Sequence, residues 1–71
     1  MAFAENLKRL REKTGMTQND LAVDVGVSQT MIAQYERGMK LPNIITSVQL
    51  AKILGTTVEK LVGEQEQEGN K

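Results

Sequence analysis

Four glycines divide this chain into short pieces and restrict what it can fold into. Gly15, Gly26, Gly38 and Gly55 each follow a run whose apolar residues recur every three or four positions. Each is followed within a few residues by Thr17, by Ser28, by Pro42, and by Thr56 or Thr57, residue types that open a new helix. A periodic run closed by glycine and reopened by a capping residue is the signature of a short helix. The pattern predicts helices over 3–13, 18–25, 29–37, 43–54 and 58–62. Phe3, Leu7 and Leu10 form the inward stripe of the first, and Leu21, Ala22 and Val25 that of the second. Ile32 and Tyr35 point inward from the third, and Ile44, Val48, Ala51 and Leu54 from the fourth. Thr17 with Asp20 three positions on makes a capping box, with Asp in place of the stronger Glu. No segment alternates with a period of two, so the fold class is all-α: a compact unit of five helices over residues 1–62.

Seventy-one residues suffice for one modest core. The Gly63–Lys71 segment is too polar to pack and is expected to be an acidic, flexible tail. No apolar run reaches the ~18 residues of a membrane span, and the first residues lack the basic end and apolar block of a secretion signal. The chain is accordingly expected in the cytoplasm, with no membrane partner. It contains neither His nor Cys. That removes the commonest acid–base group and metal ligand together with every thiolate, and no glycine-rich phosphate loop is present. No catalytic residue, metal site or cofactor is assigned.

Charge at first argues against nucleic acid, because nine basic residues balance nine acidic ones. The balance is uneven along the chain. Residues 63–71 hold Glu64, Glu66 and Glu68 against Lys71, which leaves eight basic and six acidic residues, a net +2, in 1–62. Such a domain can present one basic face, with modest affinity per copy.

The stretch from Gln18 to Gly38 carries the function. It reads as two short helices joined by a tight turn at Gly26, with small Ala22 permitting close approach and Val27 and Ile32 filling the angle. That is a helix-turn-helix arrangement. Gln29, Thr30 and Gln34 are left facing outward on the second of these helices. A glutamine amide can bond the N6 and N7 atoms of adenine, and threonine offers a hydroxyl and a methyl. The helix N-terminus and the Ser28 hydroxyl favour a nearby phosphate. On polarity alone the same side chains fit a plain solvent-facing surface equally well.

The ordered set Leu7, Leu10-Arg11, Met16-Thr17-Gln18, Leu21-Ala22, Gly26-Val27-Ser28, Ile32, Tyr35-Glu36-Arg37-Gly38, Pro42, Leu50-Ala51, Leu54-Gly55 and Leu61 resembles the lambda-repressor/Cro-like (XRE-type) helix-turn-helix family over about residues 4–62. The resemblance implies a regulator of transcription, most often a repressor, that inserts the helix 29–37 into the major groove of double-stranded DNA. It implies base contacts from Gln29, Thr30 and Gln34, with Met31 near the groove. Gln18 would hold a phosphate and brace the recognition helix, while Arg37, Lys40 and Asn43 would face the DNA backbone beside Ser28. Arg11 and Glu36 would form a buried ion pair. Weak binding by one copy implies a homodimer on a palindromic operator. Ser47, where the family usually has an aliphatic residue, and Ile45, where a polar one is common, suggest an altered surface on the fourth helix, suited to a dimer contact. The alternative is a protein-interaction module on the same fold, such as an antitoxin or adaptor, using Ile45, Leu61-Val62 and the acidic tail.

Overall fold

The computed structural model describes residues 2–63. They form five helices: α1 (Ala2–Lys13), α2 (Gln18–Val25), α3 (Gln29–Glu36), α4 (Ile44–Leu54) and α5 (Val58–Val62). The described residues contain no strand. The expected tail lies outside them except for Gly63, which is the left-handed cap that closes α5.

The helix boundaries follow from local chemistry. The Thr17 hydroxyl accepts from the Asp20 amide at 3.0 Å, and the Asp20 carboxylate accepts from the Thr17 amide at 3.0 Å. This reciprocal pair satisfies two amides that the first turn of α2 cannot use internally. Ser28 caps α3 by accepting from the Met31 amide at 3.1 Å, and Thr57 caps α5 in the same way. The α2–α3 turn depends on Gly26 at φ +87°, which lets its own amide and that of Val27 reach the Ala22 carbonyl at 2.8 and 3.0 Å. A side chain at that left-handed position would be strained.

Three boundaries differ from expectation, the first being the start of α1 at Ala2, one residue early. Arg37 is the cap that follows α3 rather than its last helical residue, and Gly38 beyond it takes the left-handed conformation. Asn43 is the N-cap of α4, its Oδ1 accepting from the Thr46 amide at 2.8 Å, so Pro42 lies one residue outside the cap and does not open the helix. The Asn43 side-chain oxygen satisfies a first-turn N–H that has no partner within the helix, which a proline at that boundary could not do.

The core gathers Phe3, Leu7, Leu21, Ala22, Val25, Ile32, Tyr35, Leu50, Ala51, Leu54 and Leu61. Phe3 and Tyr35 meet edge to face, centroids 6.4 Å apart, a favoured geometry for ring quadrupoles. α3 is held between α1 and α2, while α4 packs on α2 and α5 closes against α1 and α4. The Asn6 amide ties α1 to the end of α5 by donating to the Leu61 carbonyl at 3.1 Å. Leu10 is half-buried against the core.

The fourth helix departs most from its expected register. Leu50, Ala51, Leu54 and Ser47 are buried, whereas Ile44 is 68% and Val48 38% exposed. Ser47 therefore belongs to the interior, not to an altered surface: its hydroxyl donates to the Asn43 carbonyl at 2.9 Å. An aliphatic side chain carries the same pattern signal on either face, and Ser47 hid the true inward direction. Leu61 is fully buried, so it offers nothing to a partner. No helix among the described residues is long and apolar enough to cross a membrane.

Candidate nucleic-acid interface

The site is built from the inside outward, beginning with a charge that the core would otherwise reject. Arg11 extends from the last turn of α1 and lies buried. Its Nε donates to Glu36 Oε2 at 2.6 Å and its Nη2 to Oε1 at 3.1 Å, a two-pronged pairing whose geometry suits a guanidinium and a carboxylate. A third bond runs from Arg11 Nη1 to the Met16 carbonyl at 2.7 Å and fixes the α1–α2 turn. The hydrogen bonds to Glu36 raise the Arg11 pKa above its ordinary value, outweighing the opposing effect of burial. Among the described residues this is the one salt bridge, and no buried side-chain N or O lacks a partner.

The network continues to the surface. Gln18 Nε2 donates to Glu36 Oε1 at 3.1 Å, which ties the first residue of α2 to the last residue of α3. A primary amide has two N–H groups and a carbonyl. With one N–H directed at Glu36, the rest of the Gln18 amide is free to meet a ligand. Gln18 lines an open concavity of about 430 Å³ together with Gln29, Thr30, Ala33, Gln34 and Arg37. Among the described residues, none of those that line it is acidic.

The expected residues divide into groups. Gln29, Thr30 and Gln34 lie together on the concave face, with Gln18 and Arg37 at its sides. Met31 differs: it is half-buried and packs against the core. Ser28, Lys40 and Asn43 are exposed but do not line the concavity. The Ser28 and Asn43 oxygens are engaged in capping, which leaves the Ser28 hydroxyl hydrogen and the Asn43 amide hydrogens as donors. Arg37 and Lys40 make no ion pair among the described residues. Ala33 was missed by sequence reasoning; only its place between outward-facing positions of α3 could have marked it. Among the described residues no group of three or more His, Cys, Asp or Glu could hold a metal ion.

This geometry defines a helix-turn-helix domain with one helix presented for contact, and the comparisons agree. Residues 7–61 match the family model described as Helix-turn-helix. An uncharacterized HTH-type transcriptional regulator, y4dJ, from Sinorhizobium fredii is 39% identical over 80% of this chain and 74% of its own length. The HTH-type transcriptional activator BcrR from Enterococcus faecalis is 33% identical over 93% of this chain, which spans 32% of that relative. The crystal structure of the P22 c2 repressor in complex with synthetic operator 9T superposes with a TM-score of 0.85 at 30% identity, covering 89% of this chain and 96% of that one. The chain belongs to the lambda-repressor-like helix-turn-helix family of DNA-binding transcription regulators.

Proposed function

We propose that this domain reads a specific double-stranded DNA site by placing α3 in the major groove. The observation that carries this reading is the open face that Gln18, Gln29, Thr30, Gln34 and Arg37 share. Gln29, Thr30 and Gln34 supply the base contacts, and Met31 supports them from the core side. Gln18, Ser28, Arg37, Lys40 and Asn43 grip phosphates on either side. The Arg11–Glu36 pair acts at a distance: it fixes the end of α3 and, through Gln18, the anchor on α2.

One copy at net +2 binds weakly, because the sequence-independent part of affinity scales with phosphates neutralised. Two copies on a palindrome, with recognition helices roughly 34 Å apart, overcome this. The exposed apolar side chains of Ile44, Ile45 and Val48 on α4 favour a protein contact, and we assign that contact to a second copy. Repression is the output we propose, since a site occupied by such a dimer is closed to other proteins. The P22 c2 repressor, in complex with a synthetic operator, is a solved relative that supports this choice.

Selection of bound duplexes from a random pool, with complex stoichiometry measured at two salt concentrations, tests the reading. A palindromic consensus bound two to one is expected. Selection without any consensus, or a stoichiometric protein partner captured in place of DNA, contradicts it.

A further inference from the structure

Met39 and Leu41 stand on either side of Lys40 in the segment between α3 and α4, and they are 62% and 65% exposed. A large apolar side chain turned to water forgoes the burial that stabilises a core. Here two of them bracket a cation assigned to the DNA backbone. They continue in sequence into Ile44, Ile45 and Val48, the exposed apolar residues of α4. The backbone between is held by little. Met39 donates its amide to the Gln34 carbonyl at 2.9 Å, but among the described residues Lys40, Leu41 and Pro42 enter no backbone hydrogen bond.

Charge decides what fits this surface. From Leu41 to Ala51 the sequence has no charged residue. In a two-fold contact each surface meets its own counterpart, so a charge near the axis would face its like at a cost. An uncharged apolar stretch suits such a contact, whereas a strongly acidic or basic partner would find nothing to pair with. Fixing backbone that no hydrogen bond holds costs conformational entropy. Where a first partner has already ordered the segment, a second binds more tightly.

We infer that a second copy of this chain covers Met39 and Leu41 and thereby fixes Lys40 for the DNA backbone, so that association between copies and grip on phosphate are coupled. This rests on the proposal that two copies share one DNA site.

The test compares the whole chain on its selected palindrome and on a duplex holding one half-site, over a range of salt, with stoichiometry measured on both. Each phosphate contact contributes about 0.9 to the salt slope. Lys40→Ala is expected to lower the slope by about one per bound copy on the palindrome and to leave it nearly unchanged on the half-site. Leu41→Asn and, independently, Met39→Asn should weaken palindrome binding about tenfold, as for a large apolar side chain returned to water. In either background Lys40→Ala should become as silent on the palindrome as on the half-site. A slope lowered equally per copy on both duplexes, or on neither, overturns the coupling while a two-to-one complex keeps the shared site intact. Two-to-one binding that Leu41→Asn and Met39→Asn leave at native strength gives this surface to another occupant and also overturns the inference. One-to-one binding on the palindrome overturns the shared site itself.

Discussion

α3 and α4 are built alike and behave oppositely. Each begins at a side-chain cap, Ser28 or Asn43, and each turns away from its end through a left-handed glycine, Gly38 or Gly55. In α3 the residue types coincide with their environment: Ile32 and Tyr35 are buried, and Gln29 and Thr30 are exposed. In α4 they do not. A serine is buried, while two isoleucines are each 68% exposed. Burying Ser47 costs little because its hydroxyl is bonded to the Asn43 carbonyl. Exposing Ile44 and Ile45 gives the domain an adhesive surface that a polar helix lacks. On the function proposed above, the difference separates a surface that meets polar base edges from one that meets apolar side chains.

The largest expected effect tests what holds α3 in place. Glu36→Ala should cost about 3–5 kcal/mol of unfolding free energy in urea, because it strands the buried Arg11 charge. Replacing both partners by Arg11→Met and Glu36→Leu should recover most of that stability. It should not recover DNA affinity, since Gln18 loses its tether. Full recovery of both would show that Gln18 needs no positioning.

Within α4, Leu50→Ala should cost about 2–5 kcal/mol as a cavity in a closed core. Ile45→Asp should stay within about 0.5 kcal/mol in stability. The same change should abolish self-association in analytical ultracentrifugation and weaken binding to a two-half-site duplex. Equal stability losses from Leu50→Ala and Ile45→Asp would place both residues in one core and erase the contrast between the helices.

The smallest effect concerns the α2 cap. Thr17→Ala should cost about 1 kcal/mol. Hydrogen bonds from Thr17 hold the Asp20 carboxyl below the usual carboxylate range. A lowered folded pKa means that the cap contributes fully above the ordinary Asp range and fades as pH falls through the folded value. Asp20→Asn should flatten that part of the stability–pH curve between neutral and acid conditions.

The sequence carried the helix-turn-helix block well because periodicity and side-chain chemistry agree there: Gly26 permits the turn, Ser28 caps and Ile32 buries. It misled in α4, where Ile44 and Val48 gave an apolar stripe on the wrong face and Ser47 concealed the right one. Asparagine is among the residue types most favoured at an N-cap, yet the position of Asn43 next to Pro42 drew the helix start onto the proline, and its oxygen instead caps α4 by accepting from the Thr46 amide. The Asn6 bond to Leu61 leaves no trace in any local pattern, since it joins α1 to α5. Ala33 was overlooked because alanine is so common in helices that its place on a reading face carries no weight until the neighbouring side chains are seen.

The central claim is that α3 discriminates bases while its surroundings supply grip. It is tested most directly by measuring affinity for the selected site and for a scrambled duplex in native protein, Gln29→Ala, Gln34→Ala and Lys40→Ala. The two glutamine variants should lose roughly 1–3 kcal/mol on the selected site and keep their scrambled-site affinity. Lys40→Ala should weaken both about equally and lower the salt slope by about one. Native discrimination retained by both glutamine variants would contradict the account.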